Sequence, residues 1–185
     1  MADFLRLFRM AVRPGHVEVV LPHGLWSATM TVVKVLSRFV WLPATATATA
    51  WAAAYAADAR VIALLCSAVA LFLASVVVHE IGHVAAYRLI SPTAAASFSA
   101  TNGRFRLTRE PLPAVRDITV TVAGPASALL LPLVLLPGFA SWPLQVWTAT
   151  AIGLGHLTLL FRSVGDGAAL RQALRSPTPQ DRGTP

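Results

Sequence analysis

From Val61 to Val78 the chain runs for eighteen residues without a charged side chain. Three more runs share the pattern: Phe39 to Ala57, Ile118 to Leu136 and Trp142 to Phe161. At 1.5 Å per helical residue, nineteen residues reach about 28 Å, just enough for the hydrocarbon layer of a bilayer. Few folds are open to a chain with four such runs, because in lipid each backbone N–H and C=O must be satisfied within the spanning structure itself. Composition agrees, with 56% apolar and only 12% charged residues, where a soluble domain carries about 25% charged. An ordinary soluble enzyme is excluded. The net charge of +7 does not mark a nucleic-acid binder, since the arginines are spread between apolar runs rather than gathered on one face. Cys66, the one cysteine, lies inside an apolar run, which rules out an internal disulfide and offers nothing for a cysteine-based metal site.

Between the runs the sequence changes character. Residues 2–12 set Phe4, Leu5 and Phe8 against Arg6 and Arg9, as a surface helix or a disordered basic arm would. His16 to Leu21 alternates weakly, like a short strand, before Pro22-His23-Gly24. Residues 25–38 are apolar but carry Lys34 and Arg38, which fits an interfacial helix. The run from Val61 continues to about Ile90, where Ser91-Pro92 stops a helix. Residues 97–108 alternate on both sides of Asn102-Gly103, the signal of a tight hairpin. The expected fold is an all-α polytopic membrane protein with about four transmembrane helices and a small β-hairpin between the second and third. Residues 1–38 form a cytoplasmic or interfacial segment, 39–170 the membrane domain, and 171–185 a disordered cytoplasmic tail.

Charge placement orients this map. With the start, the 88–116 loop and the tail on one side, that side holds fourteen of the fifteen basic residues, leaving Arg60 opposite. The positive-inside rule then predicts four spans with both termini cytoplasmic.

At the end of the second run stands His79-Glu80-Ile81-Gly82-His83. Residues four apart share a helix face, so His79 and His83 can present two imidazoles to one metal ion, with Glu80 beside them as a general base rather than a ligand. A catalytic zinc site ordinarily needs a third protein ligand. Both the second and fourth runs point inward, which puts Asp166, between Gly165 and Gly167, at the depth of the histidines. Asp117, at the start of the third run, is the other candidate. His156 lies within the fourth run, as a packing residue or as a hydrogen-bond partner near the site.

His79-Glu80-Ile81-Gly82-His83, Ala123-Gly124-Pro125 and Asp166-Gly167, in this order and membrane setting, resemble the site-2 proteases, the intramembrane zinc metalloproteases. The resemblance spans roughly residues 61–170. Two features depart from it: no Asn-x-x-Pro precedes Asp166-Gly167, and Ala128 stands where an Asn is common. The resemblance implies a three-helix catalytic core binding one zinc ion per chain through His79, His83 and Asp166, with Glu80 as the catalytic base. It implies a β segment after the first core helix, where Asn102, Gly103 and Phe105 are expected to meet substrate. The expected partner is a membrane-anchored protein or peptide, cleaved in or near its transmembrane segment in the lipid bilayer, with no nucleic acid involved. The expected setting is a bacterial cytoplasmic membrane. A rival expectation is an inactive membrane adaptor that binds transmembrane segments and keeps the motif as a relic.

Overall fold

A computed structural model of the protein describes residues 15–101 and 103–175. In chain order the elements are β1 (Val17–Val20), α1 (Leu25–Ala56), α2 (Arg60–Ile90), β2 (Ala96–Thr101), β3 (Arg104–Arg109), α3 (Ala114–Ser127), α4 (Leu130–Leu135), α5 (Pro143–Thr158) and α6 (Asp166–Arg175). Short 3₁₀ turns follow α4 and α5.

Three helical stretches are long and apolar enough to cross a membrane: Arg60–Ile90, Ala114–Gly138 and Pro143–Phe161. The protein is thus mostly helical with apolar helices of spanning length. In the most apolar window of α2 only 6% of residues are buried within the protein, and Val61, Ile62, Leu65, Val69 and Phe72 point outward. Such a large outward apolar surface is unstable in water and stable in lipid.

The helix boundaries differ from expectation in three places. Residues 25–56 form one helix rather than an interfacial piece and a separate span, and the expected boundary at residue 38 falls inside it. Pro43 sits in its interior, where it withholds one N–H from the helical ladder. Its Ala- and Thr-rich half falls outside the three stretches of spanning character. The third run divides at Ala128–Leu129, because Pro132 has no N–H to offer the Ala128 carbonyl. Residues 171–175, expected in the disordered tail, belong to α6. The expectations for residues 2–12 and for the tail beyond Arg175 lie outside the described residues.

The fold is not all-α. The expected hairpin forms, with Phe98 opposite Leu107 and Thr101 opposite Arg104, and Gly103 supplies the positive φ of 75° that its turn requires. Residues 17–20 add a third antiparallel strand, Val19 facing Phe98. The order β1-β2-β3 leaves β3 at an edge. Alternation sorts the faces: Val17, Val19, Phe98, Ala100, Phe105 and Leu107 pack inward on Val32 and Leu36 of α1 and on Val84 and Tyr87 of α2. Phe105 meets the Phe39 ring edge-on at 5.8 Å and stacks on Phe98 at 6.3 Å.

Arg88, in the last turn of α2, is only 2% exposed. Its guanidinium donates to the carbonyls of Leu21 at 2.8 Å and Ala94 at 2.7 Å. Those bonds offset the cost of burying the charge and tie both strand-bearing segments to the helix that carries His79 and His83.

Candidate metal centre

Helical periodicity places His79 and His83 on one face of α2, their Nε2 atoms 3.2 Å apart. Both rings are buried. Asp166, the first residue of α6, reaches in from the far end of the chain, its Oδ2 3.2 Å from His79 Nε2 and its Oδ1 3.2 Å from His83 Nε2. One ligand atom from each of the three side chains lies within 4.8 Å of the others.

Hydrogen bonding fixes one tautomer. His83 Nδ1 lies 2.8 Å from the Val120 carbonyl, which can only accept, so Nδ1 carries the proton and donates it. In the neutral ring the Nε2 lone pair then points into the cluster, the form a metal ligand needs. That lone pair faces a carboxylate oxygen 3.2 Å away, and two acceptors at this distance repel unless positive charge lies between them. When a proton rather than a metal fills the space between them, imidazolium hydrogen bonds and charge from His79 and His83 outweigh the burial that alone would raise the Asp166 carboxyl, and hold it well below the usual carboxylate range. It is therefore the anionic form that the two imidazoles surround. Two imidazoles and one carboxylate, all converging, suit zinc.

Packing brings the helices to this spacing. A Cβ on Gly124 of α3 would overlap the His83 imidazole, so only glycine lets α3 lie this close. A Cβ on Gly82 would come within 2.7 Å of the Ala123 carbonyl. Ser127 Oγ lies 2.8 Å from the Val78 carbonyl and 2.7 Å from that of Gly124, a donor shared across the contact. The glycines around Asp166 shape the backbone that carries it. Gly165 takes a φ of 60°, and a Cβ on Gly167 would come within 2.8 Å of the Leu159 and Leu160 carbonyls. They allow the tight turn from α5 into α6.

Of the other expected residues, some join this site and some do not. Glu80 is half-buried and lines a cavity of about 550 Å³ together with His83, Asp166 and Phe105. Gly103 lies at the exposed tip of the hairpin and is not part of that lining; Asn102 lies outside the described residues. Asp117 pairs with Arg109 instead of joining the histidines. His156 is buried with its ring 4.8 Å from that of His79. Its Nε2 lies 3.0 Å from Ser75 Oγ, which itself donates to the Phe72 carbonyl at 2.7 Å, so the imidazole N–H donates to Ser75. Among the described residues His79 Nδ1 and His156 Nδ1 have no hydrogen-bond partner.

Sequence reasoning missed Val120, whose contribution is a backbone carbonyl and carries no residue signal. It also missed Ser75, four residues before His79 on the same stripe of α2. Arg104 and Arg106 line the cavity as well; their alternation with Phe105 and Leu107 was legible, their neighbourhood was not. No family model, no curated protein and no solved structure matches this chain.

Proposed function

We propose that this protein is an intramembrane zinc metalloprotease of the site-2 protease kind, hydrolysing peptide bonds in or near the transmembrane segments of membrane-anchored substrates. The observation that carries the reading is the convergence of His79, His83 and Asp166 beside Glu80 at a cavity bordered by a free strand edge. Zinc held by these three side chains would supply Lewis acidity, activating a water and polarising the scissile carbonyl.

The chain's own groups do the rest. His83 is fixed by its bond to Val120, and Asp166 supplies the negative charge. Glu80 accepts a proton from the attacking water as its oxygen bonds to the carbonyl carbon, then delivers that proton to the amine nitrogen as the C–N bond breaks. A helical peptide hides its carbonyls, so the substrate must be extended; adding a strand to the outer edge of β3 would hold it so. His156 supports the His79 ring from behind.

The same proposal includes four spans with cytoplasmic termini. Residues 40–51 of α1 line a cavity together with residues 66–77 of α2. If α2 crosses the bilayer, that part of α1 shares its depth, and its small Ala and Thr side chains suit helix-to-helix contact.

The test is cleavage of a membrane-anchored reporter by the reconstituted full chain beside Glu80→Gln. Loss of about 10²–10⁴-fold in rate with bound zinc unchanged supports the protease. Equal behaviour of the two proteins, without zinc in either, supports the adaptor.

A further inference from the structure

Arg104 and Arg106 stand on the outward face of the edge strand β3, alternating with the half-buried Phe105 and Leu107. All four line the cavity that also holds Glu80, His83 and Asp166. The third arginine of this strand, Arg109, is neutralised by Asp117. Arg104 and Arg106 have no ion-pair or hydrogen-bond partner among the described residues. Asp166 is turned to the two imidazoles, so of the cavity's carboxylates only Glu80 stands against two free guanidinium groups. The cavity is therefore electropositive along one strand edge.

A strand laid on that edge puts its own side chains alternately over the two faces of the sheet. Alternate residues would meet Phe105 and Leu107, and those between would meet Arg104 and Arg106. Resting on the reading that this cavity receives an extended peptide, we infer that the preferred segment alternates acidic and apolar side chains, with two acidic residues two positions apart paired to Arg104 and Arg106. Anionic lipid headgroups also attract arginine. They require no two-residue register with apolar neighbours.

The experiment uses the full chain carrying Glu80→Gln, so that bound peptide persists, in phosphatidylcholine nanodiscs. Three labelled peptides share one apolar transmembrane anchor and differ in an extension reading Asp-Val-Asp-Val, Asn-Val-Asn-Val or Lys-Val-Lys-Val. The Asp peptide is expected to bind about tenfold more tightly than the Asn peptide, since each cross-strand charge pair contributes and the site is partly shielded from water. Arg104→Gln with Arg106→Gln abolishes that preference, and Arg104→Glu with Arg106→Glu transfers it to the Lys peptide, which also shows that the variant is folded. Equal binding of all three peptides, or a preference that survives the double substitution, overturns the inference. So does a double substitution that changes only affinity for phosphatidylglycerol-containing discs. Wild-type protein that cleaves none of the peptides while Glu80→Gln keeps the charge preference defeats the protease reading alone; cleavage without charge preference defeats only the inference.

Discussion

Gly124 lies flush against the imidazole of His83, and a Cβ at that position would occupy the space of the ring. The α2–α3 crossing and the orientation of His83 are therefore one feature. Gly124→Ala must displace either the helix or the ligand, at a cost of about 1–3 kcal/mol. The expected outcome is a folded membrane protein with zinc affinity reduced at least tenfold. Gly155→Ala, where a Cβ meets nothing within 4 Å, is the control and leaves zinc affinity unchanged. Equal zinc affinity in the two variants would show that the contact does not set the ligand.

His156 packs on the His79 ring and is itself held by Ser75. His156→Phe keeps an aromatic ring there but removes the N–H donated to Ser75. Partners behind metal-binding histidines typically contribute about 10–100-fold in affinity or activity, and a loss in that range is expected in chelator competition. Ser75→Ala should show part of the same loss. Thermal stability that falls while zinc affinity holds would reduce His156 to a packing residue.

Arg88 joins α2 to the chain just after β1 and just before β2 through two backbone carbonyls. Arg88→Met fills much of the volume and leaves both acceptors unpaired, for an expected loss of about 2–5 kcal/mol. The denaturation midpoint in detergent should drop by several degrees. A chain that melts like the wild type would mean water replaces the guanidinium without cost.

The proposed four-span topology would place the α1–α2 turn and the β2–β3 turn on opposite sides of the membrane. With Cys66 replaced by Ala, a single cysteine at Ala59 should react with a membrane-impermeant maleimide in intact cells. One at Gly103 should react only after permeabilisation. Labelling of both from the same side would remove α2 as a span.

Much of this arrangement was legible in the sequence, for identifiable reasons. Apolar runs and the Ser91-Pro92 stop fixed α2 almost to the residue, because helices in lipid are set by local composition. The Asn102-Gly103 turn similarly located β2 and β3, since the positive φ at Gly103 leaves few alternatives. The third strand was harder: four alternating residues at 17–20 become a strand only by pairing with Phe98 and its neighbours, eighty positions away. Depth along the membrane brought Asp166 forward, yet depth could not separate it from Asp117. The Arg109–Asp117 pair, formed across a turn, separates them in the structure. Arg88 counted in sequence as one more cytoplasmic charge. Its burial depends on two carbonyls that no residue pattern announces.

The central claim is that His79, His83 and Asp166 together hold one zinc ion, and metal content tests it most directly. Zinc per chain is measured on the purified full-length protein, wild type beside Asp166→Ala and Asp117→Ala, after dialysis against a weak chelator. About one zinc per chain is predicted for the wild type and for Asp117→Ala, and little or none for Asp166→Ala. Zinc retained by Asp166→Ala and lost from Asp117→Ala, or absent from the wild type altogether, would contradict the account.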